Sequence, residues 1–439
     1  LNHPAPSSLH PHASTTLAPG AIARACGIDF GTSNSTVGWM RPGAAPLLAL
    51  EDGKTTLPSM LFFNSEEDSI SYGRVALTEY LDGYEGRLMR SLKSILGTGL
   101  MDLQTEVQGQ SLSFRTILSH FIGELKHRAE QAAGRGFEHA VLGRPVHFVD
   151  DDPVADQLAQ DVLADIARSV GLKHVEFQYE PIAAAFDFER TLQRETLTLI
   201  VDIGGGTSDF SLLRLSPERS LKNDRLGDIL ANGGVHIGGT DFDKQLSLAC
   251  VMPLLGYRSR LKNNSEVPSS YYFNLATWHT INFVYTRKIW SELQDVFRDS
   301  GPDTRVLLDR LFGLISERAG HWLAMRVEET KIALSGQEHH ILPLDRIAEG
   351  LTHTVARSEF EDAIDGQIVR IEDTVKGLLK DANLRADQVD TVFFTGGSSG
   401  VPLLRQRVAA LLPAAQHVEG DLFGSIGSGL AIDALRKFG

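Results

Sequence analysis

Two short stretches of the chain carry residue types whose spacing suits phosphate chemistry. Asp29-Phe30-Gly31-Thr32-Ser33-Asn34 and Asp202-Ile203-Gly204-Gly205-Gly206-Thr207 each open on an Asp-x-Gly turn with hydroxyls inside it. A polyphosphate is a dense cluster of negative charge, so its site needs backbone N–H groups at close range, hydroxyl donors, and carboxylates that hold a counter-cation. Gly31 in the first turn and Gly204, Gly205 and Gly206 in the second let the backbone pass near phosphate, and Thr32, Ser33 and Thr207 offer hydroxyls. Asp29 and Asp202 by themselves would repel phosphate. They make sense facing Mg²⁺, mostly through its waters, because this ion dehydrates reluctantly. No G-x-x-x-x-G-K-[ST] stretch is present, which argues against a P-loop fold.

Such turns need strands on either side to aim them. A β-rich run from Ile22 leads into the first turn, and the apolar strand 197–201 leads into the second, followed by a strand at 210–215. The same supersecondary unit occurs twice, which predicts two similar α/β lobes facing each other. Between the turns, 57–63 reads as a strand, 117–133 as an amphipathic helix, 139–149 as a strand interrupted at Pro145, and 154–170 as a second amphipathic helix. Strand and helix alternate, as in an α/β layer. Beyond them come a helical, aromatic insertion at 246–326, a helix at 357–379, a strand at 389–395, a helix at 403–412 after Gly396-Gly397-Ser398-Ser399-Gly400, and a Gly-rich helix at 428–438. The expected organisation is a disordered lead-in over 1–20, lobe I over 21–196, and lobe II over 197–439 with the insertion inside it.

Composition narrows the function classes. The 439 residues carry 42 Lys and Arg against 56 Asp and Glu, a formal charge of −14, so the attraction behind general DNA or RNA binding is missing. Cys26 and Cys250 are too few for a disulfide framework and too isolated for a Cys-based zinc site, which suits a reducing, cytoplasmic setting. No apolar run is long enough for a transmembrane helix, and 1–20 has neither Lys nor Arg nor an apolar stretch, so it fails as a signal peptide. Neither a nucleic acid nor a membrane is therefore expected as a partner.

Several stretches together resemble the nucleotide-binding domain of the DnaK-type, 70-kilodalton heat-shock protein family. Residues 27–37 are similar to its first phosphate motif and 201–209 to its second. Met89-Arg90-Ser91-Leu92-Lys93-Ser94-Ile95-Leu96-Gly97 resembles the segment with its catalytic lysine, and Glu180-Pro181-Ile182-Ala183-Ala184-Ala185 its first connecting motif. Gly238-Gly239-Thr240-Asp241-Phe242-Asp243 and Thr395-Gly396-Gly397-Ser398 look like its Gly-Gly-x-Asp-Phe-Asp turn and its adenosine motif. The resemblance runs from about Ala25 to Leu435 with the insertion excepted, and the insertion and the end at Gly439 look most like the short YegD-type members. It implies an actin-like ATPase fold, duplicated and ribonuclease-H-like, with ATP or ADP and Mg²⁺ between the lobes.

The same resemblance implies roles. Lys93 would orient the attacking water and the γ-phosphate, with Glu180, Asp202, Thr207 and Asp209 around the metal and nucleophile. Asp29 and Asp202 would face Mg²⁺. Asn34, Gly239, Gly396, Gly397 and Ser398 would border the nucleotide, while Glu328, Lys331, Ser335 and Asp421 match its nucleoside side. Competing readings stand beside these: Lys93 as a solvated surface lysine, and Glu328 with Lys331 as a plain i, i+3 ion pair. Adjacent His339 and His340 read as surface histidines. Two departures are visible. Gly400 stands where the family often has an arginine against adenine, and Val149-Asp150-Asp151-Asp152-Pro153, after the switch-like Pro145, lacks an arginine that relays nucleotide state and reads as a solvated acidic loop.

The expected function is a chaperone-like ATP-hydrolysing switch, with a co-chaperone or protein client on its lobe surfaces and no C-terminal peptide-binding domain. A sugar-type small-molecule kinase on the same fold, and a pseudo-ATPase or filament protein, are the alternatives.

Overall fold

The computed structural model describes residues 25–439 apart from 150, 221, 223–225 and 422–423. The expected lead-in, the start at Ile22 and Asp150 lie outside these residues.

The first turn closes a hairpin. β1 (Ala25–Phe30) pairs antiparallel with β2 (Asn34–Gly38), placing Asp29 opposite Thr36, and β3 (Thr56–Pro58) continues the sheet. The strand expected over 57–63 divides at Ser59. There the backbone N–H donates to Ser33 O at 2.9 Å and the hydroxyl meets Ser35 at 2.9 Å, tying the chain to the first Asp-Gly turn. Past that tie, β4 (Met60–Asn64) joins β5 (Ser69–Tyr72) and β6 (Gly86–Arg90) in a separate three-stranded sheet, with α1 (Gly73–Leu81) between the last two.

A hairpin, β7 (Gln104–Val107) and β8 (Gln110–Ser113), leads into α2 (Phe114–Ala133), whose first turn is capped by the Ser113 hydroxyl accepting from Thr116 N–H. β9 (His139–Arg144) stops before Pro145, which has no N–H to give a ladder. α3 (Pro153–Ser169) starts on Asp152, which accepts from Val154 and Ala155 N–H, so this part of the acidic run is a helix cap and not merely a solvated loop. β10 (His174–Tyr179) and α4 (Glu180–Glu189) complete the half, giving the sheet order β10-β9-β1-β2-β3.

The second half repeats the plan. β11 (Thr196–Ile203) and β12 (Ser208–Leu215) form the second hairpin; after the single turn α5 (Pro217–Ser220), β13 (Ile229–Val235) extends it. α6 (Gly239–Leu246), α7 (Ser270–Leu275), α8 (Arg287–Arg298), α9 (Pro302–Ser316) and α10 (Gly320–Gly336) follow. A hairpin of β14 (His339–Pro343) and β15 (Thr352–Ala356) precedes α11 (Arg357–Asp381), β16 (Thr391–Thr395), α12 (Pro402–Leu411), β17 (Gln416–Glu419) and α13 (Ser425–Phe438). The sheet order β13-β12-β11-β16-β17 places each strand as its counterpart stands in the first sheet: a three-strand meander, then two parallel strands on the other side of the first.

The 246–326 stretch shares the core of the second half, inside which the sequence places it, and the last helix crosses to the first half. Tyr272, Trp278, Ile281, Leu293 and Leu311 are buried in one core with Val201, Phe210 and Phe360 of the second sheet and α11, and α10 runs on through residue 326. The last helix packs on α4 and β1, in the first half. A Cβ at Gly429 would lie 1.7 Å from Ala183 O, so helix and helix meet backbone to backbone. Gly429→Ala is therefore expected to destabilise the chain by about 1–3 kcal/mol, the usual cost of overpacking, seen as a lower urea midpoint with unchanged slope.

Candidate active site

The two Asp-Gly turns meet face to face. A Cβ at Gly205 would stand 2.6 Å from Ser33 Oγ and 2.9 Å from Thr32 Cβ, so only glycine lets the second turn approach the first. Between them opens a cleft of about 600 Å³ lined by Asp29, Gly31, Thr32, Ser33 and Asn34 from one half and Asp202, Gly204, Gly205 and Thr207 from the other. Gly396, Gly397 and Ser398 form its third side. Gly396 has φ +79°, and its Cβ would fall 2.4 Å from Asp202 Oδ1, so the loop after β16 can pass behind the carboxylate only without a side chain. Gly206 lies behind the lining, against Thr32 and Ser94.

Lys93 and Glu180 reach the same cleft from separate elements. Lys93 sits on the single turn Leu92–Ile95, and Glu180 is the first residue of α4. The two form a buried ion pair, so Lys93 is not a solvated surface lysine. Burial by itself would lower the Lys93 pKa; Glu180, Asp29 and Asp209 outweigh it and hold the ammonium above its ordinary value. The carboxylates show the opposite stress. Burial, then repulsion from Glu180, pushes Asp29 up to about 7 and Asp209 up to about 7, and raises Asp202 well above its usual range. Asp209, opposite Asp202 in the hairpin, accepts Val146 N–H at 2.5 Å, while its other oxygen and Asp202 Oδ1 are buried without a hydrogen-bond partner.

Buried carboxylates with orphaned oxygens and one ammonium among them favour an added cation. Among the described residues no three His, Cys, Asp or Glu side chains form a ready cage. This donor set fits Mg²⁺ held mainly through water and phosphate oxygens, and Asp29 and Asp202 are the carboxylates that would face it.

The strain has a pH signature. An acid whose pKa is raised on folding binds its proton more tightly in the folded chain. For Asp209 the folded state takes up protons between 3.8 and about 7, and its contribution to stability falls as the pH climbs through that window. In metal-free buffer the melting temperature of the chain should drop from pH 5 to pH 8, and Asp209→Asn should flatten part of that drop in a thermal unfolding series.

On the nucleoside side the structure gathers some of the expected residues and not others. Gly239 opens α6, its N–H donating to Gly204 O at 2.9 Å, and its Cβ position lies 2.2 Å from Ser398 Oγ and 3.2 Å from Lys331 Nζ. Lys331 is buried on Asp243, at 2.9 Å, and on Gly239 O, at 3.2 Å, while Glu328 pairs with Arg90 at 2.8 Å. The i, i+3 pair on α10 does not form, because each side chain finds a stronger partner on another element. Ser335 returns its hydroxyl to Lys331 O at 3.3 Å, and Asp421 is exposed between β17 and α13; neither lines the cleft. Sequence reasoning missed Asp243, Arg90, the Val146 N–H and Ile426. Asp243 closes a recognised motif and Arg90 stands three residues before Lys93. Ile426 enters the cleft lining from the last helix, which no local pattern announces.

Two sheets of the same strand order, each presenting an Asp-Gly hairpin to a shared cleft, define an actin-like ATPase fold. The chain belongs to the 70-kilodalton heat-shock protein family: the model described as Hsp70 protein matches residues 25–102, 94–252 and 315–434. The chain is 26% identical over 444 residues to the chaperone protein HscA homolog of Shewanella oneidensis, covering 96% of this chain and 60% of that one. It is 26% identical over 442 residues to the HscA homolog of Vibrio vulnificus, covering 95% and 59%, and 25% identical to the chaperone protein HscA of Shigella flexneri, covering 96% and 59%. The chain thus spans about 60% of the length of these relatives. Among the described residues no helix is long and apolar enough to cross a membrane, and Cys26 and Cys250 are both buried free thiols.

Proposed function

We propose that the chain binds ATP with Mg²⁺ in this cleft and hydrolyses it to ADP and phosphate, acting as the nucleotide switch of a chaperone whose lobe surfaces meet a co-chaperone or client. The observation behind this reading is the buried Lys93–Glu180 pair at the meeting point of two Asp-Gly turns. Phosphoryl transfer asks chiefly for positioning and charge stabilisation. The backbone and hydroxyls of Gly31 to Asn34 and Gly204 to Thr207 hold the phosphates. Lys93, kept charged by its neighbours, donates to the attacking water and to the charge that develops on the γ-phosphoryl oxygens, and Glu180 fixes the ammonium in place. Bound Mg²⁺ neutralises phosphate charge. Asp209, steadied by Val146 N–H, accepts a proton from water as it attacks. Glu328, Lys331 and the Gly396–Ser398 loop border the nucleoside.

The test is single turnover with ATP labelled on the γ-phosphate, with and without candidate sugars. Label released as inorganic phosphate supports the switch; label transferred to a sugar replaces it with a kinase, and ATP that is bound but never cleaved leaves a pseudo-ATPase.

A further inference from the structure

The family model passes over residues 253–314, and part of this stretch closes a pocket that shares no lining residue with the cleft. The pocket, about 340 Å³, lies where the 3-10 turn Trp278–Tyr285 and the start of α10 meet β6, the head of α2 and the Leu92–Ile95 turn. Leu88, Met89, Leu92, Ile95 and Phe114 make its apolar walls. Its charged lining residues are both cations, Arg87 and Arg90. Among the described residues no Asp or Glu lines it, in a chain whose formal charge is −14.

Two N–H groups in this lining are unmet. Trp278 is 5% exposed, and its Nε1 and Arg87 Nε are both buried without a hydrogen-bond partner among the described residues. An indole N–H can only donate, and a buried tryptophan ordinarily finds an acceptor for it. Neither group can serve the other, since both are donors. Arg90 sets its face on the Trp278 ring, 3.9 Å from the centroid, and its edge on Glu328 outside the pocket, so its charge is answered. The Arg87 charge is not. Its Nη1 donates to the Glu106 backbone carbonyl, no ion pair reaches it among the described residues, and burial lowers its pKa against the pull of Glu106. The same positive field is felt by His321, whose pKa is pushed down to about 3 by burial, then by Arg90 and Arg87. A water molecule can accept from both donors but must then place two protons of its own. An anion accepts from both, has no proton to place, and is drawn by the field.

We propose that this pocket binds a small monovalent anion, a halide or a short carboxylate, which accepts from Trp278 Nε1–H and from the Arg87 guanidinium. Its volume stands at the low end for small-molecule pockets, which limits the occupant to a few atoms. A single unanswered guanidinium balances one negative charge and not two. The proposal goes beyond the nucleotide reading and does not depend on it.

The experiment melts the full chain at fixed ionic strength while sodium gluconate, whose anion is too bulky for the pocket, is replaced stepwise by sodium bromide or sodium acetate. An anion that binds the folded chain alone raises the melting temperature with its concentration. The parent should melt higher in bromide or acetate than in gluconate; a rise in one salt alone supports the site and tells halide from carboxylate. Trp278→Phe keeps a ring and removes the donor, so a given rise should need about tenfold more of the anion, as expected for losing one hydrogen bond to a charged group. Arg87→Lys keeps the charge and removes Nε; a shift in the same direction is expected, and this variant carries the test if Trp278→Phe fails to fold. Crystals soaked in bromide and measured at the bromine edge should place an anomalous peak within hydrogen-bond reach of Trp278 Nε1. No rise in either salt overturns the proposal. An equal rise in the parent and in both folded variants overturns it too, as a general salt effect or an adventitious ion only, and so does a pocket that holds water without anomalous signal.

Discussion

Lys93→Ala is expected to cut single-turnover hydrolysis by about 10²-fold or more while nucleotide affinity stays within about tenfold, because a contact made mainly in the transition state is lost. The structure sharpens the reason. The Asp29, Glu180 and Asp209 carboxylates all act upon the Lys93 ammonium, which is buried in direct contact with Glu180. Alanine would remove the charge proposed to steady the attacking water, and would leave Glu180 buried without this partner. A solvated lysine would instead shift stability by less than about 0.5 kcal/mol and leave turnover alone. The decisive measurement is a rapid-quench time course on folded Lys93→Ala protein, with ATP affinity taken by calorimetry. An unchanged rate would remove the lysine from the chemistry and leave the phosphate turns as a binding site only.

Asp202→Asn should act on binding and turnover together. Its carboxylate is buried, its pKa is driven up first by burial and then by Glu180, Asp209 and Asp29, and one oxygen has no hydrogen-bond partner. If this charge helps organise Mg²⁺ as proposed, its removal should weaken magnesium-dependent ATP binding by about 10- to 100-fold, with turnover falling alongside. Without metal the sign reverses. Asparagine relieves the repulsion, so the metal-free variant should melt no lower than the parent, and higher at pH 8 than the parent does at that pH. Calorimetry with and without Mg²⁺, paired with thermal unfolding in chelator, reads both halves. Loss of ATP binding that is independent of Mg²⁺ would refute the metal-facing role.

Much of the site was legible because its parts are contiguous. Asp29 to Asn34 and Asp202 to Thr207 each put carboxylate, glycine and hydroxyl within one turn, so residue type and spacing alone announce the chemistry. The duplicated hairpin also announced two matching sheets, and the strand orders agree. The division of 57–63 between two sheets was not visible, because a run of apolar residues has no mark for the long-range tie at Ser59. The aromatic 246–326 stretch likewise gives no sign, in its own composition, of the core it will share.

The sequence by itself determined which kind of ligand to expect and the duplicated frame, since a turn's residues and a strand's periodicity are local and act over a few positions. Only the tertiary structure decided which charges meet. Val146 N–H finds Asp209, Glu328 leaves its helical neighbour Lys331 for Arg90 on Trp278, and the last helix returns to β1 through Gly429. Those pairings join residues far apart in the chain. What selects among the possible partners is the burial that removes water from competition, and burial exists only once the sheets and helices have packed.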